Sequence, residues 1–210
     1  MESQSVPTQA SLVNLQTRVV NILTKPRQEW PVIAAEPKDV PGLYRNYIVL
    51  LAAVPAVCTM VGMSLIGMPI PFYGHVRMNF GTAFASAVVQ YVLSLVGVYV
   101  VGLVIAKLAP NFQSEPDTAQ AVKLVAYSWT PAWVAGILFL YPALGLLAML
   151  AGLYGIYLMY LGVSPLMKTP AEKVVTYLVV SVIVLIVVYL VIGLIVGAVF
   201  PVAMVPGRSF

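Results

Sequence analysis

The feature that most constrains this chain is a set of long stretches without a charged residue. No Asp, Glu, Lys, Arg or His occurs in four of them, 46–74, 78–106, 124–167 and 174–207. A helix needs about 20 apolar residues to cross the hydrocarbon core of a bilayer. Three stretches fit one span each, and the one at 124–167 has room for two. The sequence therefore predicts an all-α polytopic membrane protein with five transmembrane helices in residues 46–207.

The distribution of positive charge predicts how these spans are oriented. When loops are assigned to alternating sides, only Arg77 and Arg208 fall on the side away from the amino terminus. Short loops rich in Lys and Arg stay in the cytoplasm. We therefore expect a cytoplasmic amino terminus and an extracytoplasmic carboxyl terminus. The net charge of +4 follows from this bias and implies no nucleic-acid partner, and basic loops also favour anionic lipid headgroups.

The residues before the first span divide into a tail and a helix. Residues 1–10 are predicted to be a disordered tail. Residues 11–24 are predicted to be an amphipathic interfacial helix that ends at Pro26, because one helical face carries Leu12, Leu15, Val19, Ile22 and Leu23. Such a helix can lie flat on the cytoplasmic leaflet or pack beneath the bundle, and the sequence leaves both placements open.

Residues 25–45 are predicted to be a proline-rich connector. Four prolines fall within 25–42, and proline biases the residue before it away from helix. Trp30 lies in this connector, and indole rings prefer the headgroup level of a membrane. We therefore expect Trp30 to be an interfacial anchor.

The segment "AYSWTPAW", residues 126–133, places polar groups and a helix breaker inside the third span. Pro131 has no N–H for the carbonyl of Tyr127, and a free carbonyl in hydrocarbon costs several kcal/mol unless another group satisfies it. Spans three and four meet at Pro142, so they should form a tight hairpin with Ser128 at the level of Tyr157. Tyrosine hydroxyls of span four could then reach the freed carbonyl.

These residues form a candidate polar and aromatic seam, with the members Tyr127, Ser128, Thr130, Pro131, Tyr154, Tyr157 and Tyr160. One interpretation is that the seam only holds the bundle together, because polar contacts between membrane helices usually do so. The other is that the kink opens a small cavity on the cytoplasmic side.

Four glycines are predicted to serve helix packing. Gly152 and Gly155 lie among the tyrosines of span four, where small residues let backbones approach closely. Gly193 and Gly197 form a small-xxx-small motif in span five, which indicates either a homodimer contact or a helix exposed to lipid. Span five itself is predicted to begin at a capping box with Thr169 as N-cap and Glu172 closing it.

Residue types needed for catalysis or metal binding are scarce. The chain has one histidine, His75, and one cysteine, Cys58, whereas metal sites draw several ligands from Cys, His and carboxylates. No nucleophile–base pair, paired catalytic acids or phosphate-binding loop occurs in the sequence. We therefore expect no catalytic residues, no metal site, no cofactor and no enzymatic activity.

Three segments in a fixed order carry a resemblance to a known family: "KPRQEWPVIAAEP" before the first span, "VAYSWTPAWVAGIL" in the third, and "GLYGIYLMYLGVSPLMKTPAEKVVTYLVV" through the fourth and fifth. Together they resemble the Yip (Ypt-interacting protein) family, and most closely its short bacterial members. The resemblance implies five spans with a cytoplasmic amino terminus. It also implies a role near vesicle trafficking and membrane shaping, since eukaryotic members associate with prenylated Rab-type GTPases. No catalytic residues carry over.

Two functions follow as expectations. The first is a non-enzymatic integral membrane protein that organises membrane lipids or a membrane or cytoplasmic partner protein. The alternative is a small channel or carrier for an ion or solute, which would use the kinks at Pro55 and Pro131. The expected location is the bacterial inner membrane, or a Golgi or ER membrane in a eukaryote.

Overall fold

Five long apolar helices dominate the structure, a computed structural model that describes residues 8–70 and 74–200, with side chains described in 15–68 and 76–200. They are span 1 to span 5 in chain order: Val40–Ile66, Phe80–Phe112, Thr118–Leu140, Pro142–Met167 and Ala171–Val199. The all-α, five-span prediction is confirmed. The side of the membrane on which each terminus lies stays a prediction.

Span 1 begins six residues earlier than its charge-free stretch indicates. Asp39 caps the helix by accepting a hydrogen bond from the Gly42 amide at 2.9 Å, and Pro41 lies in the first turn, where proline is tolerated. Two π-helical segments, Tyr44–Ile48 and Gly62–Ile66, flank its α-helical middle.

Span 2 has one regular stretch and a tighter end. It is α-helical over Phe80–Leu108 and closes in a 3₁₀ turn, Ala109–Phe112. Asn79 caps it by accepting from the Thr82 amide at 2.9 Å. The helix therefore starts directly after the first loop, as the sequence predicts.

A short β-ribbon follows span 1. Strands β1 (Met68–Ile70) and β2 (Gly74–Val76) pair antiparallel, with Met68 opposite Val76. Gly67 precedes the ribbon with φ +78°, a conformation that glycine adopts without steric cost. His75 is part of β2, and its side chain lies outside the described residues.

Span 3 lies at the centre of the bundle. In its most apolar stretch 61% of residues are buried inside the protein, compared with 6% in span 5. Span 3 packs against spans 1, 2 and 4, and span 5 packs mainly against span 2. Span 5 therefore presents most of its surface to lipid, while span 3 holds four of the eight buried polar or charged residues in the described part of the chain.

The connector predicted at 25–45 is wrong for most of its length, because residues 26–35 form a helix and residues 40–45 belong to span 1. Helix α1 (Thr8–Thr24) is followed directly by helix α2 (Pro26–Ala35). Pro26 occupies the first turn, where its missing N–H costs nothing. Pro31 removes one intrahelical hydrogen bond, and burial of Trp30 and Ile33 offsets that loss.

Helix α1 differs from its predicted bounds at one end and has a definite placement. It includes residues 8–10, which were assigned to the disordered tail, and residues 1–7 lie outside the described part. Ile22 is fully buried, and Leu15, Val19 and Leu23 pack against the protein core. Of the two placements left open by the sequence, these contacts match packing beneath the bundle. The predicted inward face is correct where side chains are described.

The capping box predicted for span 5 is not formed. The helix begins at Ala171 after Pro170, without a side-chain cap. The hydroxyl of Thr169 is buried and lies 2.8 Å from that of Ser114, in the loop between spans 2 and 3. The Thr169 hydroxyl, which the capping-box pattern assigns to the start of span 5, therefore bonds a distant serine instead.

The buried seam and its two cavities

Span 3 is broken where the sequence predicts. It consists of α-helix Thr118–Ser128, a second α-helical segment Thr130–Ala135 and a 3₁₀ end, Gly136–Leu140. Pro131 lies at the start of the second segment, so the break serves as that segment's first turn. Trp129 lies at the junction.

The buried partner of the break comes from span 1. The hydroxyl of Tyr47 lies 2.6 Å from that of Thr130, and both side chains are buried. The Tyr47 ring packs 4.6 Å from that of Tyr127 and 6.4 Å from that of Trp133, measured between centroids. Span 1 and span 3 are therefore joined by one tilted and one edge-on aromatic contact and by one hydrogen bond.

The tyrosines of span 4 do not contact the break in span 3 as the seam hypothesis predicts. The Tyr154 hydroxyl donates to the carbonyl of Leu23 at the end of α1, at 2.7 Å. Tyr157 and Tyr160 are 41% and 43% exposed. The Ser128 hydroxyl is buried without a partner among the described residues. The structure thus brings Tyr127 and Thr130 together with Tyr47, and not with Tyr157 or Tyr160.

Trp30 is buried, so its predicted role as a headgroup anchor is wrong. It is 1% exposed and meets the Tyr127 ring edge-on at 6.3 Å between centroids. A Cβ added at Gly162 would lie 2.8 Å from the Trp30 indole, so span 4 leaves room for the ring there. We call Trp30, Tyr47, Tyr127 and Trp133 the aromatic cluster.

The four predicted packing glycines behave differently from one another. A Cβ at Gly155 would lie 2.6 Å from the Ser128 carbonyl oxygen, so spans 3 and 4 touch there through their backbones. The contact is two residues from the level predicted with Tyr157. Gly152, Gly193 and Gly197 have no atom within 4 Å of such a Cβ. A homodimer contact at Gly193 and Gly197 stays a prediction.

A network of ion pairs holds α1 and α2 together. The guanidinium of Arg18 pairs with the carboxylates of Glu29 and Glu36 and lies 5.8 Å from the centre of the Tyr127 ring. Arg18 and Glu29 are both largely shielded from solvent. The aromatic cluster is therefore bounded on one side by charged groups.

Lys123 connects span 3 to the end of α2. Its ammonium donates to the carbonyls of Ile33 at 3.0 Å and Glu36 at 2.8 Å, and the residue is 4% exposed. Unpaired carbonyls at a helix end carry partial negative charge. A cation from a different part of the chain therefore caps α2.

A second charged contact ties the segment after α2 to span 3. Lys38 pairs with Asp117, whose carboxylate also accepts from the Gln120 amide at 3.0 Å. Burial raises the pKa of Asp117, but the hydrogen bond from Lys38 and the backbone amides outweigh it, so the net pKa lies below the ordinary 3.8. The same hydrogen bond raises the pKa of Lys38.

A polar cavity of about 780 Å³ opens beside these groups, and we call it the end cavity. It lies between α1, α2 and the beginnings of spans 1 and 3. Its lining consists of Leu15, Thr17, Arg18, Asn21, Glu29, Val32, Glu36, Pro37, Asp39, Gly42, Leu43, Asn46, Tyr47, Lys123 and Tyr127. Three carboxylates against two cations give this lining one net negative charge.

A second cavity, of about 390 Å³, lies within the spans, and we call it the span cavity. It is uncharged and mainly apolar. Its lining consists of Ala52, Pro55, Ala56, Gln90, Tyr91, Ser94, Trp129, Ala132, Trp133, Phe139, Gly145, Ala148, Met149, Gly152 and Tyr189. The aromatic cluster lies between the two cavities, because Tyr47 and Tyr127 line one and Trp133 lines the other.

Sequence reasoning missed Arg18, Glu29, Tyr47 and Lys123 as members of this region. One signal was available, because Glu29 and Glu36 are seven residues apart and so share a helical face. No such local signal marks Tyr47 or Lys123, whose partners are 83 and 90 residues away along the chain. Among the described residues, no group of three His, Cys, Asp or Glu could hold a metal ion.

Comparison with known proteins gives consistent results. The Yip1 domain family matches residues 20–195. Inner membrane protein YohC of Escherichia coli K12 is 29% identical over 160 residues, which cover 75% of this chain and 82% of YohC, and its counterpart from E. coli O6:H1 gives the same values. No solved structure matches the chain. The region that matches the Yip1 domain family contains the lining residues of both cavities except Leu15, Thr17 and Arg18 of the end cavity.

Proposed function

The chain belongs to the Yip1 family of membrane proteins and lies in the bacterial inner membrane, and from this premise we propose that it is a non-enzymatic protein that organises membrane phospholipids. The end cavity carries the proposal. It is charged, concave and located where spans 1 and 3 begin, which is the level of lipid headgroups. Its volume falls within the range of about 300 to 1,000 Å³ that is typical of small-molecule sites.

The charges of the end cavity favour a zwitterionic headgroup that bears an amine. The guanidinium of Arg18 already donates to the carboxylates of Glu29 and Glu36. The ammonium of Lys123 already donates to two backbone carbonyls. The remaining carboxylate oxygens, including those of exposed Asp39, offer acceptors to an ammonium group. A guanidinium has five N–H donors, so Arg18 retains some for a phosphate. Phosphatidylethanolamine has both groups.

A lipid suits this cavity better than a protein partner. Stable protein interfaces bury about 800 Å² on each partner and contain an apolar centre. The end cavity is instead a recess with charged groups in its lining, and α1 and α2 form part of that lining. The partner-protein role expected from the sequence is therefore the less favoured form of the proposal.

Lipid retention tests this function. The protein is purified from bacterial membranes in mild detergent, and retained phospholipids are quantified by mass spectrometry against the bulk membrane. We expect enrichment of phosphatidylethanolamine over phosphatidylglycerol. Asp39→Asn keeps a side-chain oxygen for the Gly42 amide but removes one charge, and it should lower the enrichment about two- to fivefold, as expected for a partly exposed ion pair.

Glu172→Gln is the matched control. Glu172 is an exposed carboxylate at the start of span 5, outside the end cavity, so this change should leave the enrichment unaltered. A retained lipid composition equal to that of the bulk membrane would contradict the proposal. Equal losses in both variants would also contradict it, because the effect would then come from overall charge.

The arrangement of the two cavities favours a carrier as the second candidate. A carrier needs compartments separated by a barrier that can move, and the aromatic cluster lies between the end cavity and the span cavity. Proteoliposomes loaded with ions or small metabolites test this function by solute flux. A carrier should show flux that changes in Pro131→Ala, which straightens the break in span 3, and absence of flux for every solute tested removes this candidate.

A further inference from the structure

Helix α2 runs along spans 3 and 4, and its beginning lies nearer the middle of the membrane than its end. At its end, the carbonyl of Ile33 accepts from Lys123, close to the start of span 3. In its middle, Trp30 packs against span 4. Just before its beginning, the carbonyl of Leu23 accepts from Tyr154, 13 residues before the end of span 4. For a helix of 10 residues, the turn between α1 and α2 therefore lies about 15 Å deeper than the end of α2.

Two cations at this turn are exposed. They are Lys25 and Arg27, and neither is in an ion pair within the described part of the chain. Val179 and Ile183 lie at similar depth on another face, about 12 and 18 Å from the start of span 5, and each is more than half exposed. The bundle thus presents positive charge on one face at a depth where it presents apolar side chains on another.

The exposed side of span 4 changes from apolar to polar near the same depth. From Ala143 to Ile156 its exposed residues are all apolar, over about 20 Å. The exposed residues that follow are polar and share one helical face, and we call them the polar strip: Tyr157, Tyr160, Ser164 and Lys168. On span 5, by contrast, the exposed residues from Val175 to Val199 are apolar apart from Thr176, over about 36 Å. Span 4 therefore matches a thinner bilayer than span 5 does.

We propose that Lys25 and Arg27 bind the phosphates of phospholipid headgroups and thereby lower the leaflet on the side where span 5 begins. Along the polar strip this leaflet lies about 10 Å deeper than around span 5, because a hydrocarbon core is about 30 Å thick and the apolar part of span 4 is shorter. Cations in hydrocarbon are unfavourable, and local thinning of the bilayer relieves that cost. Tyrosine rings suit the headgroup level.

This site does not depend on the proposed headgroup site, because neither Lys25 nor Arg27 lines the end cavity. Its ligand is also different in kind. The end cavity is proposed to select one lipid by its amine, whereas two exposed cations recognise the phosphate that all phospholipids carry. Loss of phosphatidylethanolamine enrichment would therefore leave the lowered leaflet unaffected.

Spin labels at two positions of equal depth test the lowered leaflet. Tyr160→Cys lies seven residues before the end of span 4, and Val179→Cys lies eight residues after the start of span 5. Each is made in a Cys58→Ser background, which removes the one native cysteine, and is reconstituted in vesicles of phosphatidylethanolamine and phosphatidylglycerol. Collision rates with a water-soluble nickel chelate and with oxygen are then measured. We expect the nickel-to-oxygen ratio to be at least twofold higher at 160 than at 179, and an equal or lower ratio would overturn the proposal.

Removal of the cations assigns the effect to the turn. In Lys25→Gln/Arg27→Gln the ratio at 160 should fall at least twofold, while the ratio at 179 stays unchanged. Lys107→Gln is the matched control, because Lys107 is an exposed cation in the last turn of the α-helical part of span 2, and it should change neither ratio. An unchanged ratio at 160 in the double variant, or an equal fall in Lys107→Gln, would overturn the role of Lys25 and Arg27.

Vesicles without phosphate identify the group that is bound. In an uncharged galactolipid the bilayer retains its headgroup hydroxyls but offers no anion to Lys25 and Arg27. The ratio at 160 should fall there as it does in the double variant. A ratio equal to that in phospholipid vesicles would overturn the assignment to phosphate.

Discussion

At the scale of single residues, backbone contact between spans 3 and 4 depends on one missing side chain. Gly155 leaves space for the Ser128 carbonyl oxygen, whereas Gly152, one turn away, faces open space. The two glycines are indistinguishable in the sequence, since both occur in the same apolar helix. Their different surroundings make them a matched pair for mutagenesis.

Gly155→Ala should destabilise the protein by about 1–3 kcal/mol, because the added methyl group must displace backbone in a packed interface. Gly152→Ala should leave stability unchanged or slightly higher, since alanine favours helix more than glycine does. Thermal unfolding of both variants in the same detergent measures the difference. Equal melting temperatures for the two would show that spans 3 and 4 do not meet at Ser128.

The same scale shows why part of the site could not be predicted. The break in span 3 can be predicted from the sequence, because Pro131 lacks an N–H in any surroundings, and the structure contains this break. The partner of that break depends on which span lies beside it, and Tyr47 of span 1 occupies that position. The prediction for Trp30 is wrong for a similar reason. An indole ring generally prefers the headgroup level of a membrane, but here Gly162 of span 4 leaves space in which the Trp30 ring is buried.

At the scale of elements, α1 and α2 are held by charges from distant parts of the chain. The pairing of Lys38 with Asp117 attaches the segment after α2 to the first turn of span 3. The pKa of Asp117 is lowered in the folded protein, so its stabilising contribution is complete above the ordinary 3.8 and is lost as pH falls through the folded value. The pKa of Lys38 is raised in the folded protein. Its stabilising contribution is therefore complete below pH 10.5 and is lost as pH rises through the folded value.

Asp117→Asn should therefore lower the melting temperature at neutral pH and have less effect at low pH. The asparagine oxygen can still cap the helix through the Gln120 amide, so the variant isolates the charge. Melting curves from about pH 3 to pH 8 measure the difference from wild type, which should shrink below about pH 4. A difference that is constant across this range would mean that Asp117 does not act through its charge.

The elements also show which sequence signals predict well. Long charge-free runs predicted all five spans, because a membrane span must satisfy length and polarity within itself. The proline content of α2 led to the wrong prediction of a connector. A helix tolerates Pro26 in its first turn, and burial of Trp30 and Ile33 offsets the hydrogen bond lost at Pro31. The capping box at Thr169 failed for the same kind of reason, because Ser114 competes for the hydroxyl.

At the scale of the whole molecule, the distribution of Lys and Arg predicts a cytoplasmic amino terminus. Alternating spans place nine of the 11 basic residues on the face where spans 1 and 3 begin, and the end cavity opens at that face. The proposed headgroup site would therefore contact the cytoplasmic leaflet.

Reporter fusions test this orientation. Alkaline phosphatase, which is active only outside the cytoplasm, should be active at the carboxyl terminus and inactive at the amino terminus. Green fluorescent protein should give the reverse pattern. Both ends in one compartment would exclude an odd number of spans, and exchange of the two compartments would move the end cavity to the outer leaflet.

The contact between Lys123 and α2 has a consequence for how the protein is made. The ribosome synthesises Ile33 long before Lys123, and the two are 90 positions apart. During that interval the carbonyls at the end of α2 have no ammonium to bond and must remain in contact with water. The front of the nascent chain should therefore attach to the bundle only after the third hydrophobic helix has entered the bilayer, and chains truncated before that helix should leave it accessible to protease.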